Sequence, residues 1–203
     1  MAYKCSILQA VAKALPQFLK HASAYSQMKR PKVKKCLKEI EQAKNCLKSV
    51  TPEHEGAPVL LLALFDEDEE LIYKTVEETA HDDDLGDMPV TPIIFECLLV
   101  VVKPHQRGPG LFEAEMFTVC VDGVVILTTQ RAAAFKVMFL LYFVLNIEYP
   151  PEVALTLEFV QRAIAGINPE RSTKARRTSK KQYCLSPKVA ALANALDQYK
   201  FEA

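Results

Sequence analysis

The sequence lacks the motifs that common enzyme classes require. Its 203 residues include only six glycines, two of which flank Pro109, so no glycine-rich loop can cradle a phosphate. Gly-x-Ser-x-Gly and His-Glu-x-x-His are absent, and no cysteine lies near an activating histidine. We therefore predict a protein that is not an enzyme, with no catalytic residue and no cofactor. An enzyme with an unrecognised site is the third-ranked alternative.

Long hydrophobic runs are also missing. The longest apolar run, Val137 to Leu145, falls well short of the roughly 18 to 20 residues that a membrane-spanning helix needs. The first residues do not resemble a secretory signal, because Lys13 and Pro16 interrupt apolar positions that have helical spacing. We expect an intracellular protein, nuclear or cytoplasmic, that does not insert into a membrane.

The cysteines and histidines do not form a recognisable metal-binding pattern. The six cysteines include no Cys-x-x-Cys pair, and the four histidines are not spaced as in zinc fingers. His81 and the three aspartates 82–84 resemble a set of hard-metal ligands, but consecutive loop residues diverge, so we interpret them as a solvated helix end. The sequence predicts reduced thiols and no bound metal.

Charge is divided into blocks although the net charge is zero. Residues 1–50 hold eleven basic and two acidic side chains, whereas residues 51–98 hold one lysine and fourteen acids. Residues 99–203 hold thirteen basic and nine acidic side chains. Such asymmetry informs about partners rather than about fold. Either the first two blocks pair with each other, or each faces a different partner.

The first two segments are predicted to be mainly helical. Residues 1–52 form a basic N-terminal helical hairpin, with apolar stripes over 7–19 and 33–50. Residues 53–89 form an acidic linker and helix, and acids that favour a helix start place this helix at about 67–80. The apolar run 59–65 is too short for its periodicity to distinguish helix from strand.

From residue 90 onward, the apolar residues no longer recur only at helical spacing. The pattern over residues 90–203 predicts an α+β module with C-terminal helices. A β-rich run at 93–102 and an Asp122-Gly123 hairpin indicate strands. The helix at 135–145 covers the sheet and a Pro150-Pro151 corner leads to a second helix at 153–164, in which Glu158 faces solvent. The predicted fold is a small antiparallel sheet of about three strands packed against a predominantly helical domain.

Two basic clusters are the candidate site for nuclear import or nucleic-acid contact. Such runs resemble nuclear-import signals and can neutralise phosphates, although charge runs also form ordinary solvated surfaces. Ser179, which follows Arg176-Arg177-Thr178, is a candidate phosphosite whose phosphate would reduce the local positive charge. The clusters consist of Lys29, Arg30, Lys32, Lys34 and Lys35, and of Lys174, Arg176, Arg177, Lys180 and Lys181.

Residues 91–189 resemble an uncharacterised C-terminal module that recurs in animal proteins of unknown function. The similar blocks are Thr91-Pro92-Ile93-Ile94, Val121-Asp122-Gly123, residues 141–150 ending in Asn-Ile-Glu-Tyr-Pro, residues 155–162 with Leu-Glu-Phe-Val-Gln-Arg, Ile167-Asn168-Pro169 and Ser186-Pro187-Lys188-Val189. Proteins with this module sometimes carry a sterile alpha motif or zinc-finger segment upstream, and some look like remnants of mobile elements. The chain departs from the module at residues 98–111, where the module has a tighter turn. The resemblance implies a nuclear, non-enzymatic role.

These observations lead to two ranked functional hypotheses. The first is a non-enzymatic intracellular module, expected in the nucleus, that binds a protein partner or self-associates through apolar helices and recruits partners through its charge blocks. The alternative is a nucleic-acid-binding protein that uses the two basic clusters. A nucleic-acid complex weakens steeply with salt, whereas binding through an apolar face does not.

Overall fold

The computed structural model describes residues 30–47, 56–75, 98–103, 112, 116–121, 124–129, 131–167 and 186–198. The α-helices are α1 (Pro31–Leu47), α2 (Ala57–Phe65), α3 (Arg131–Val144), α4 (Ala154–Phe159) and α5 (Pro187–Gln198). The strands are β1 (Tyr73–Thr75), β2 (Leu98–Lys103), β3 (Met116–Val121) and β4 (Val124–Thr129). The predicted mixture of helix and strand is confirmed. The predicted first N-terminal helix, at 7–19, lies outside the described residues.

The strands form one sheet in the order β1-β2-β3-β4. β1 runs parallel to β2, and the other neighbours are antiparallel. The expected count of about three antiparallel strands is therefore not confirmed, because a parallel strand from the acidic segment joins the sheet. The hairpin is confirmed: Val121 pairs with Val124 across residues 122 and 123.

The helix predicted at about 67–80 is wrong over the part that the structure describes. Glu69–Leu71 forms a single 3-10 turn, in which Asp68 Oδ1 accepts a hydrogen bond from the Glu70 N–H at 3.1 Å. The chain then extends into β1, where the Tyr73 ring packs edge-on against Phe117 with centroids 6.4 Å apart. Pairing with β2 and ring burial override the local helix preference of the acids.

The apolar run 59–65, which could have been helix or strand, lies in helix α2. This helix is almost wholly buried. Eight of its nine residues are buried, and Asp66 ends it in the left-handed conformation at φ 63°. The basic helix α1 packs on α2 through the stripe Val33, Cys36, Ile40 and Ala43. A helix that is apolar all round has to be enclosed by neighbours, and α1 is one of them.

Helix α3 covers the sheet, and the Pro-Pro corner that follows it is confirmed. α3 packs on β2, β3 and β4, and Phe117 and Val119 of β3 belong to the shared core. Asn146, at φ 55°, follows the last turn of α3. Pro151–Val153 then forms a 3-10 turn that leads into α4, and a π-helical turn over Val160–Ile164 continues α4.

A single hydrophobic core includes residues from all three predicted segments. α1 packs on α2, α2 packs on α4, and α4 packs on α5, so the described residues of the segments 1–52, 53–89 and 90–203 contribute to one core. Within the described ranges, no helix has both the length and the apolar character needed to cross a membrane.

Candidate interaction surface

The basic and acidic blocks meet along the side of α1. Lys32 Nζ lies 3.1 Å from Asp66 Oδ1, at a position where both side chains are largely exposed. Arg30 Nη1 donates a hydrogen bond to the carbonyl oxygen of Leu64, at the end of α2, at 2.9 Å. The sequence left open whether the basic and acidic blocks pair with each other or face different partners. At this contact, the described residues of the two blocks pair within the chain.

A cleft of about 190 Å³ lies between α1 and the turn that follows α2. Burial raises the pKa of Glu69, and its neighbours Glu39, Asp68 and Glu70 raise it further, whereas Lys35 lowers it. Among the described residues, no group of histidine, cysteine, aspartate and glutamate could hold a metal ion. The lining residues are Lys32, Lys35, Cys36, Glu39, Leu62, Ala63, Glu67, Asp68, Glu69 and Glu70.

Glu67 is a buried carboxylate with a structural role. Its two oxygens accept hydrogen bonds from the backbone N–H groups of Leu155 and Thr156, at 2.8 and 3.0 Å. These donors belong to the first turn of α4, where N–H groups have no partner within the helix. Burial raises the pKa of Glu67, while these hydrogen bonds and the charge of Lys188 lower it.

Two further polar side chains, Tyr149 and Gln161, are buried next to the Pro-Pro corner. The Tyr149 hydroxyl donates to Gln161 Oε1 at 3.0 Å, and Gln161 Nε2 donates to the Ile167 carbonyl at 3.3 Å. Glu158, expected to face solvent, is only 1% exposed, and its Oε1 lies 3.3 Å from Arg162 Nε. The prediction for Glu158 is wrong because the ion pair one turn apart allows the carboxylate to be buried.

The exposed large apolar side chains that the structure describes are confined to β4 and to the C-terminal end of α3. They are between 40% and 75% exposed. β4 and α3 follow one another in the chain and pack on each other. We call this set the apolar surface; it consists of Val124, Ile126, Leu127, Leu140, Val144 and Leu145.

On α3, the apolar surface occupies the helix face turned away from the sheet. Leu140 and Val144 are one turn apart and continue the exposed positions 133 and 136. Within the nine-residue apolar run from Val137 to Leu145, the side chains of Leu140, Val144 and Leu145 are exposed. A helix that covers one sheet buries only one side, so an uninterrupted apolar run must leave some of its residues exposed.

On β4, the apolar surface lies at the edge of the sheet. β4 pairs with β3, and the strand order places no described strand on its other side. Val119 pairs with Leu127 and Cys120 pairs with Val125, so Ile126 is the extra residue of a β-bulge. Because paired residues project to the same face, Leu127 lies on the core face of the sheet with Val119.

The basic clusters are described only in part. Lys34 is exposed, and Lys35 Nζ lies 3.8 Å from Glu39 Oε1 on an exposed part of α1. Lys29, the second cluster (Lys174, Arg176, Arg177, Lys180 and Lys181), Ser179 and the acidic loop at 81–84 lie outside the described residues. The structure thus brings Arg30 and Lys32 to the end of α2, and it adds Glu67 and the apolar surface, which the sequence reasoning missed.

Comparison with protein-family models, with curated proteins and with solved structures finds no match for this chain. The resemblance of residues 91–189 to the animal module therefore stays a prediction. Two of its blocks contain buried residues: the Asn-Ile-Glu-Tyr-Pro block contains Tyr149, and the Leu-Glu-Phe-Val-Gln-Arg block contains Glu158 and Gln161.

Proposed function

We propose that this chain is a non-enzymatic intracellular protein-interaction module, active in the nucleus, that binds a protein partner through the apolar surface. The observation that carries the proposal is the confinement of the described exposed apolar side chains to β4 and the end of α3. Exposed apolar surface of this kind is retained where a partner covers it.

The edge position of β4 gives this surface a second binding element. An edge strand presents backbone N–H and C=O groups that another extended strand can pair with, and side chains on alternate positions supply specificity. β4 carries no charged residue, so nothing in its own side chains opposes the approach of an apolar partner.

Three of the polar groups that the structure describes bind to other parts of the chain. Glu67 holds the start of α4, Gln161 holds Tyr149, and Arg30 holds the end of α2. Each of these contacts links separate parts of the chain, which supports a scaffold role for the polar groups and a binding role for the apolar ones.

The nucleic-acid alternative has less support from the described residues. Arg30 and Lys32 already contact the acidic segment, which leaves fewer cations of the first cluster for phosphate. The second cluster stays a prediction, and a steep fall of DNA or RNA affinity with salt would identify it.

The proposal is tested by placing a photo-crosslinking amino acid at position 126 and, as a control, at position 194. Both side chains are exposed, and Asn194 lies on α5, which packs on α4 rather than forming part of the sheet. On illumination in cells, we expect covalent adducts from position 126 that are absent or much weaker from position 194. No adduct from position 126, or equal adducts from both positions, would contradict the proposed function.

A further inference from the structure

The two edges of the sheet differ in how they are protected. β1 is only three residues long, which limits its pairing with a further strand. β4 is six residues long, Val-Val-Ile-Leu-Thr-Thr, with no lysine, no proline and no charge. Among the described residues, the bulge at Ile126 is the one feature of β4 that would hinder pairing with a further strand.

The bulge also sets which faces the side chains of β4 occupy. Val124, Leu127 and Thr129 pair with Val121, Val119 and Phe117, so they lie on the core face. Val125 and Thr128 pair with Cys120 and Thr118, so they lie on the opposite face. The Thr118 and Thr128 hydroxyl oxygens are 3.0 Å apart, which confirms that these two side chains share a face.

This arrangement is self-complementary when β4 is paired antiparallel with a copy of itself. With a two-fold axis between Ile126 and Leu127, Val124 is opposite Thr129 and both lie on the core face. Val125 is opposite Thr128, and both lie on the other face, while Ile126 is opposite Leu127. Without the bulge, strict alternation would put each of these pairs on opposite faces.

We propose that β4 pairs with β4 of a second copy of this chain, in this register, and joins the two sheets into one. The proposal rests on the proposed function and names the partner of the same surface. Next to the two-fold axis, a symmetric pair brings each side chain close to its own equivalent, so a charge at the centre of β4 would meet a like charge. β4 has none, and the pairing buries Ile126 and Leu127, which are 49% and 40% exposed in the single chain.

The test uses sedimentation velocity on the purified full chain over a series of concentrations. We expect a monomer–dimer equilibrium that Ile126→Lys weakens by about tenfold or more, because the two lysines would be diagonal neighbours of like charge and two apolar side chains would lose their burial. Asn194→Lys adds the same charge on exposed α5 and should leave the dimer unchanged. Thermal unfolding of each variant checks that it is folded.

Mixing two variants gives the decisive result. Ile126→Lys and Ile126→Glu should each be monomeric alone, and an equimolar mixture should form a dimer, because position 126 of one copy lies diagonally across from position 126 of the other. Recovery on mixing cannot arise from a folding defect. A wild-type chain that stays monomeric, a dimer that Ile126→Lys leaves intact, or a failure to recover on mixing would overturn the proposal. A monomeric chain that still forms adducts from position 126 with another protein would leave the proposed function standing.

Discussion

Glu67 connects the acidic turn to the α+β module across 88 residues of sequence. Its carboxylate replaces the partner that a capping side chain would give to the first turn of α4, where no side-chain cap is present. Because Glu67 as a residue is only 8% exposed, water cannot readily take over these hydrogen bonds. At the residue scale, this contact fixes how α2 and α4 pack.

Glu67→Ala is expected to lower the free energy of unfolding by about 2 kcal/mol, since it leaves two backbone N–H groups without their acceptor. Urea unfolding followed by circular dichroism measures the change. Glu70→Ala is the matched control, because Glu70 is an exposed acid in the same turn, and its effect should stay within about 0.5 kcal/mol. Equal effects of the two substitutions would contradict the role given to Glu67.

The pH dependence of stability follows from the raised pKa of Glu67. Burial lifts its pKa above the ordinary value of 4.5, so the folded state holds this proton more tightly than the unfolded state. The stability that comes from this linkage is fully present below about pH 4.5 and is lost as the pH rises through the folded-state pKa. The stability of the wild type relative to Glu67→Gln should therefore decrease between acidic and neutral pH in urea titrations. An increase in this relative stability between acidic and neutral pH would contradict a raised pKa of Glu67 in the folded state.

Tyr149 and Gln161 are expected to be energetically coupled. Tyr149→Phe removes the donor of a buried hydrogen bond and should destabilise the fold by about 1 to 2 kcal/mol. A double-mutant cycle with Gln161→Leu measures the coupling, which we expect to exceed about 0.5 kcal/mol. Additive effects of the two substitutions would show that the contact contributes nothing.

At the scale of the elements, the end of α3 depends on a residue in an unusual conformation. Asn146 has φ 55°, which asparagine and glycine tolerate far better than a β-branched residue. Asn146→Val is expected to destabilise the protein by about 1 to 2 kcal/mol, and Asn146→Gly should stay close to the wild type, as measured by thermal unfolding. If valine is tolerated as well as glycine, the left-handed conformation at position 146 does not contribute to the stability of the protein.

Elements with strong local signals could be predicted from the sequence, whereas those set by tertiary contacts could not. The Pro150-Pro151 corner and the Asp122-Gly123 hairpin depend on backbone preferences that are local, and the elements on either side of each are confirmed. The strand at 73–75 depends on pairing with β2, which lies more than twenty residues further along the chain. Acidic residues that favour a helix start therefore gave the wrong element there.

The distinction between local and tertiary signals also explains which parts of the candidate site the sequence did not reveal. Glu67 looks like a surface acid, because nothing local reveals the α4 N–H groups that donate to it. Glu158 has Arg162 one turn away, but exposed ion pairs show the same spacing, so the local sequence does not reveal that Glu158 is buried. The exposure of Ile126 depends on the strand order, and that of Leu140 depends on which side of α3 meets the sheet. Periodicity alone could not choose the outward residues within an uninterrupted apolar run.

At the scale of the whole molecule, the charge blocks contribute to the fold as well as to solubility. α1 brings its cations to the end of α2 and buries its apolar stripe in the common core. The exposed ion pair at Lys32 adds little stability, so the packing of α1 on α2 comes mainly from that stripe. We therefore propose that a partner binds the apolar surface rather than the charged contact between α1 and α2.

Hydrogen exchange of the backbone amides of β4 tests the central claim most directly. The purified chain is compared at low and high concentration, and α5, which lies outside the apolar surface, serves as an internal reference. We predict slower exchange over residues 124–129 at high concentration, because a second strand would accept hydrogen bonds from the open edge of β4. Unchanged exchange of β4 while the chain associates through another segment would contradict the account.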